Sequence, residues 1–283
     1  SAVAGRPAGV ARSRTYSAAP MAFGPGQAMT YSIGEAEYVG EGANKAGSTV
    51  TPQTYTIAPF KFHKTVRWTQ EVMFADEDHQ LGVVQQVLDL IQPALSRALD
   101  FGVIHGVNPA TGTAVPAMTQ RLVNTTKAVE LVATDKVYKA LDDADALVLG
   151  AGYLPRQVAL DPTWAMRFVA ARAVQTEAKL YPEFAMGPGT TQLAGHTAAI
   201  SDTVRAQGVI GADTNLYGLV GDFSTVRWGV QRNIGLELIE YGDPDGGGDL
   251  KRNNQVAFRA EVVYGWGIAD LNAVAKVVDA VAG

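Results

Sequence analysis

The most regular alternation of polar and apolar positions lies over residues 54–68. Tyr55 and Ile57 alternate with Thr54 and Thr56, Phe60 and Phe62 with Lys61 and His63, and Val66 and Trp68 continue the pattern. A period of two carried by aromatic and β-branched residues predicts a strand. Pro59 has no N–H to donate, so the strand should be bent or lie at a sheet edge. Upstream, Ala36-Glu37-Tyr38-Val39 runs into a small, polar, glycine-rich stretch from Gly40 to Ser48, which predicts a loop tip. Residues 34–72 thus read as a long two-stranded excursion. A ribbon of that kind has too little core to stand alone and calls for packing against something else, most naturally another chain.

A helical period follows. Asp76-Glu77-Asp78 suits a helix start, where carboxylates complement exposed N–H groups. Leu81, Val84, Leu88, Ile91, Leu95 and Leu99 then fall three and four apart and form one apolar stripe, long for a globular helix. Pro93 predicts a bend near Asp89 and Leu90. Phe101-Gly102-Val103-Ile104-His105-Gly106 closes the run, and Asn108-Pro109-Ala110-Thr111-Gly112 is a turn cluster. Thr134 is a candidate N-cap for a helix with Asp135 in its first turn and Val137, Leu141, Ala144 and Val148 on one side. Asp161-Pro162 pairs an N-cap with proline at the first helical position and leads into Trp164, Phe168 and Ala171. Between those helices residues 157–160 read as a short buried strand, and Gly187-Pro188-Gly189 as a mobile loop.

The last third is mostly strand. Val226, Trp228 and Val230 alternate, as do Ile234, Leu236 and Leu238. Residues 243–249, Asp-Pro-Asp-Gly-Gly-Gly-Asp, read as a solvated turn. Val256, Phe258, Val262, Tyr264, Trp266 and Ile268 occupy the even positions of a long strand. Residues 269–282 fit either a closing strand or a short helix. The first 30 residues are rich in Ala, Gly, Pro and Ser, with Arg6, Arg12 and Arg14 interspersed. From Tyr16 onward, Met21, Phe23, Met29 and Tyr31 favour an arm that orders on a neighbouring subunit over a solvated tail.

Composition narrows the classes. The 283 residues contain no cysteine, which removes disulfides and thiolate chemistry. Hydrophobic residues make up 47% and charged residues 18%, enough for a packed core. A formal charge of −5 lacks the basic face of a duplex-gripping protein, so nucleic acid would be confined rather than held. No apolar run is long enough to predict a membrane span. The N-terminus lacks the apolar core of a signal peptide, and its missing Met implies Met excision or a longer cut.

Candidate chemistry is sparse. His63, His79, His105 and His196 lack the i, i+4 partner of a zinc helix. No G-x-S-x-G elbow is present. The stretch around Lys45 lacks the Gly-Lys-Ser/Thr order of a phosphate loop. Asp243, Asp245 and Asp249 lack the further ligands of a calcium loop. Asp142, Asp143 and Asp145 read as solubility on an exposed helix face. Nothing assembles nucleophile, base and oxyanion donors, so no enzyme, no cofactor and no metal site is expected.

The order of parts carries a resemblance: arm, long ribbon, long helix ending His105-Gly106 with a G-x-x-P turn to Pro109, strand-to-helix step over residues 154–164, Gly221-Asp222-Phe223-Ser224, long strands and Ala269-Asp270-Leu271-Asn272-Ala273. The chain resembles the major capsid proteins of tailed bacteriophages with the HK97-type fold, over almost its whole length. The resemblance implies an α+β fold with an N-terminal arm at 1–30 and a peripheral domain at 31–133 and 248–283. The peripheral part would hold an extended loop at about 34–72 and a spine helix at about 79–102, and the axial domain would span 134–247. It implies a structural subunit that self-assembles into hexamers and pentamers of an icosahedral shell around double-stranded DNA, assembled in the bacterial host cytoplasm and located in the virion. Partners would be other copies, with scaffold, portal and decoration proteins as further candidates, no sequence-specific DNA contact and no membrane. An encapsulin-like nanocompartment shell, which shares the fold, is the alternative.

Some members of that family join subunits by an isopeptide bond between a loop lysine and an asparagine, assisted by a glutamate. The corresponding candidates are Lys45 at the loop tip with Asn254 and Glu261 near the long C-terminal strand. Lysine must lose its proton to attack, which burial and a nearby carboxylate favour. The balance favours ordinary roles: a polar tip, a turn residue and a carboxylate beside a sheet.

Overall fold

Strand pairing sorts the chain into two sheets. The computed structural model describes residues 26–32, 51–71, 82–132, 135–173, 176–184, 190–206 and 215–279. The first sheet contains β1 (Gly26–Ser32), β2 (Thr51–Thr69), β8 (Val226–Ile239) and β9 (Gln255–Ile268), in the order β1-β2-β9-β8 and antiparallel throughout. The second is mixed and contains β3 (Ala128–Leu131), β4 (Gln157–Leu160), β5 (Thr190–Leu193), β6 (His196–Ile200), β7 (Leu216–Gly221) and β10 (Val274–Asp279), in the order β3-β10-β7-β4-β6-β5. Three α-helices are described: α1 (Val83–His105), α2 (Lys139–Leu149) and α3 (Pro162–Ala170).

The long strand and helix follow their periodicities. All seven even-numbered residues of β9 are apolar and buried, because pleating sends them to the face covered by α1. Leu99, Val103 and Ile104 of α1 meet Val262, Tyr264 and Trp266 in one core cluster. Val87 and Ile91 meet Val256, Phe258 and Ala260 in a second cluster nearer the helix start. Gly106 takes the left-handed conformation (φ 68°), and its N–H bonds to the carbonyls of Phe101 and Gly102, which ends α1. The other sheet packs α2 and α3 through Leu141, Val148, Trp164 and Phe168 against Val158, Leu160, Val220 and Val277. Asp161 caps α3 by accepting from Thr163 N–H at 2.8 Å, with Pro162 at the first helical position.

Several boundaries differ from the pattern-based reading. Among the described residues β1 already pairs with β2 at Gly26, inside the span read as arm. The outgoing strand read at 36–39, the loop tip and residues 1–25 lie outside the described residues, as do Asp76-Glu77-Asp78, Thr134 and Gly187-Pro188-Gly189. Helix α1 runs three residues past 102, through Pro93, because Gly106 and not Gly102 supplies the left-handed stop. Helix α2 starts at Lys139, after a turn through Lys136 in which Lys139 N–H bonds back to the Lys136 carbonyl. Of residues 269–282, the described part to Asp279 forms a 3-10 turn over Leu271–Ala273 followed by strand β10.

The division at 247/248 falls between β8 and β9, which are hydrogen-bonded neighbours in one sheet. Conversely β10 joins β7 and β3 in the other sheet. The sheets therefore exchange strands across the boundaries drawn from the sequence. Periodicity identifies a strand but not its partner, and these partners are far apart along the chain.

Candidate functional site

The ribbon formed by β1 and β2 outruns the sheet that carries it. Among the described residues β2 pairs with β1 over Thr51–Ile57 and with β9 over Ala58–Thr69. Among the described residues Pro59 has β9 as its strand neighbour and none on the other side, which suits a residue with no N–H to donate. On the face toward α1, Phe60 stacks against Trp266 with centroids 4.6 Å apart, Phe62 against Tyr264 at 6.0 Å, and Trp68 edge-on against Phe258 at 6.2 Å.

At the foot of the ribbon Arg67 is clamped by the β8–β9 turn. Its Nε donates to Asp245 Oδ1 at 2.6 Å, one Nη to Asp243 Oδ1 at 2.7 Å and the other to Gln255 Oε1 at 3.2 Å. The hydrogen bond with Asp245 raises the Arg67 guanidinium above its ordinary value and holds the Asp245 carboxyl below the usual carboxylate range. A Cβ on Gly247 would lie 3.0 Å from Arg67 Cζ, so the glycine lets the turn close over the guanidinium. Arg259 ties the same turn to β2, donating to the Pro244 carbonyl at 2.7 Å and to Thr65 Oγ1 at 3.3 Å. The turn read as solvated is thus a lock on the ribbon root.

Two further polar junctions join the elements. Arg97 on α1 pairs with Asp202, Asp100 accepts from Thr203 Oγ1 at 3.1 Å, and His105 Nε2–H donates to the Thr203 carbonyl at 3.0 Å. Burial lowers the His105 pKa, which keeps the ring neutral and fixes that tautomer. On β6, His196 directs Nε2 at Asp145 Oδ1, 3.1 Å away, and Nδ1 at the Leu193 carbonyl, 3.2 Å away. Both partners are acceptors, so both ring nitrogens donate and the imidazolium is favoured. The Asp145 hydrogen bond is the main cause of the raised His196 pKa. Asp145 is therefore a structural partner and not merely a solubilising charge, while Asp143 faces Lys139 at 2.7 Å.

The crosslink candidates scatter. Lys45 lies outside the described residues. Asn254 is a left-handed turn residue (φ 53°) whose carbonyl accepts from Gln70 N–H. Glu261 sits inside β9 and pairs with Lys61 at 3.2 Å. Seven residues of strand separate Asn254 from Glu261 by about 23 Å, so a shared reaction centre would take the carboxylate of a different copy. Among the described residues no group of three His, Cys, Asp or Glu could hold a metal ion. Among them, too, no helix is long and apolar enough to cross a membrane. Missed by the sequence reading were Arg67, its two aspartates and the Asp145–His196 pair, all contacts between residues distant in the chain. The one available signal was two carboxylates in a single turn opposite an arginine-bearing strand.

The architecture has known counterparts. A family model described as phage capsid protein matches residues 53–277. A chain of Mycobacterium phage Ogopogo superposes with a TM-score of 0.80 at 41% identity, covering 98% of this chain and 93% of the other. A chain of Gordonia phage Cozz gives 0.76 at 28% identity, covering 95% and 86%. A chain in the capsid of an empty GTA particle shares the fold, with a TM-score of 0.61 at 16% identity over 95% and 89%. No curated protein matches the chain. The chain belongs to the phage capsid protein family, as a major capsid protein of a tailed phage. Its fold is the α+β HK97 type, and its place is the capsid shell of the virion.

Proposed function

We propose that copies of this chain assemble into hexamers and pentamers that close into an icosahedral shell around double-stranded DNA, with assembly in the host cytoplasm. The observation that carries the reading is the ribbon. Over Gly26–Ser32 and Thr51–Ile57 it is, among the described residues, a two-stranded structure beyond the reach of β9, and such a ribbon in water is marginal without a further surface. Other copies are the natural source of that surface. The α1–β9 body and the six-stranded sheet correspond, on this reading, to the peripheral and axial parts. A subunit without cysteine draws its cohesion from many contacts, each stable interface burying on the order of 1,600 Å². The charge of −5 suits a wall that confines DNA and releases it. The 41% identity to a mycobacteriophage chain favours a virion over a nanocompartment shell. The role is structural, and no reaction step is assigned to any residue. Negative-stain electron microscopy of the purified chain tests this: closed shells or capsomer rings are expected, and a dilute chain that stays monomeric with residues 51–57 protected from proteases refutes it.

A further inference from the structure

The β8–β9 turn holds reactive backbone chemistry beside the Arg67 clamp. Asp245-Gly246 is the one Asp-Gly step in the chain, and no Asn-Gly step occurs. At an Asp-Gly step the glycine amide nitrogen can close on the aspartyl Cγ, because no side chain shields it and the backbone turns freely there. Gly246 offers that approach. It is exposed, it sits in the left-handed region (φ 79°), and a Cβ built on it would meet nothing within 4 Å. Among the described residues its N–H has no hydrogen-bond acceptor. The neighbouring aspartates lack such a partner. Asp243 precedes Pro244, which has no N–H, and Asp249 precedes Leu250, whose N–H donates to the Gly242 carbonyl at 2.9 Å.

The electrophile in this ring closure is the protonated carboxyl, which expels water; a carboxylate has no such leaving group. Arg67 opposes the acid form. Its Nε donates to Asp245 Oδ1 at 2.6 Å and one Nη pairs with the same oxygen, while Gly247 N–H donates to it at 3.2 Å. These donors favour the ionised group and hold the Asp245 carboxyl below the usual carboxylate range, the Arg67 hydrogen bond being the main cause. They also fix the rotation of the carboxylate, so reaching the glycine nitrogen means breaking the clamp first.

We propose that Asp245-Gly246 is a latent isomerisation site that Arg67 keeps unreactive. In the reaction Gly246 N bonds to Asp245 Cγ, and the amide proton leaves with the carboxyl hydroxyl as water. The resulting succinimide then takes up one water. Addition at Cγ regenerates aspartate, and addition at the α-carbonyl carbon gives isoaspartate. Nothing is oxidised or reduced. Isoaspartate routes the main chain through Cβ and leaves its carboxylate directly on Cα. The Arg67 fork then loses its partner, and the root of the ribbon is released.

The test ages the full chain in warm, mildly acidic buffer and locates isoaspartate by enzymatic methylation and peptide mass spectrometry, with circular dichroism as the folding control. The same chain in guanidinium chloride supplies the rate without the clamp. Isoaspartate should form at residue 245 in the denatured chain and lag in the folded one. Arg67→Gln should speed its formation in the folded chain about threefold or more, the scale of a partly exposed ion pair. Arg67→Lys keeps the charge but loses the fork, so its rate should fall between the two, and it carries the comparison if Arg67→Gln does not fold. Three results would each overturn the proposal: no isoaspartate at residue 245 in the denatured chain, a folded wild type that matches the denatured rate, or folded Arg67 variants no faster than wild type.

Discussion

Replacing Gly102 by alanine sets two effects of opposite sign against each other. In a helix interior alanine is favoured over glycine by about 1 kcal/mol. At position 102 the added methyl would lie 2.5 Å from Cη2 and 3.0 Å from Cζ2 of Trp266. Carbon atoms rest at about 3.5–4.0 Å, so one partner must yield by about 1 Å. Trp266 has little room to do so: it is 1% exposed, its indole N–H donates to the Gln120 carbonyl at 2.7 Å, and Phe60 stacks 4.6 Å from it. Overpacking of a filled core costs about 1–3 kcal/mol, so the clash outweighs the propensity gain. The net loss should reach up to about 2 kcal/mol, lowering Tm by up to about 8 °C at the 2–4 °C per kcal/mol typical of large domains. Thermal unfolding of unassembled subunits by circular dichroism measures it. In a Trp266→Phe background the second ring is gone, and Gly102→Ala should become neutral or stabilising. The two changes are in contact, so a double-mutant cycle should show coupling of about 1 kcal/mol or more. A Gly102→Ala chain that melts at or above the wild type, or a cycle with no coupling, refutes the steric argument.

Asp161→Ala should lower stability by about 1 kcal/mol through loss of the α3 cap, while Asp161→Asn keeps the acceptor for Thr163 and removes a carboxylate whose burial disfavours its charge. Equal melting of the two variants would contradict this. The raised His196 pKa makes the Asp145 link stabilising in full below the unfolded value of about 6.5, with loss as pH climbs through the folded value. The Tm advantage of wild type over His196→Gln should therefore shrink with rising pH, and a gap that stays constant or widens counts against it. Because Glu261 is held in an ion pair by Lys61, 3.2 Å away, it is not the free carboxylate that deprotonating a lysine calls for, and particles boiled in detergent should run as one band near 29.9 kDa. A ladder of multimers would show an isopeptide bond after all.

Local chemistry was readable where a residue and its neighbours decide the outcome. The burial of alternate residues in β9, the Asp161-Pro162 start of α3 and the short strand over 157–160 all follow from periods and caps that a few residues specify. Sheet membership was not readable, since nothing in the pattern of β8 distinguishes pairing with β9 from pairing with β7. The start of β1 was hidden for a related reason. Gly26-Gln27-Ala28-Met29-Thr30-Tyr31-Ser32 has a weak period, and its strand character comes from seven pairings with Thr51–Ile57. The Arg67 clamp joins residues 176 and 178 positions apart, and only the folded turn brings them together.

The positions of these contacts divide β2 into two mechanical regimes. From Ala58 to Thr69 the strand is held by β9 along one edge, by three aromatic contacts on one face, and by Lys61–Glu261, Arg259 and the Arg67 clamp. From Thr51 to Ile57 its one strand neighbour among the described residues is β1. If copies form the five- and sixfold rings proposed above, they meet at slightly different angles and need this division, because a ribbon rigid throughout would fit one ring and strain in the other. A root that moved would lose the registration between ribbon and body. The bend must therefore fall near Ala58 and Pro59, where one pairing ends and the next begins. Differences in ribbon angle between subunits of one shell should pivot there while residues 60–69 superpose on the body.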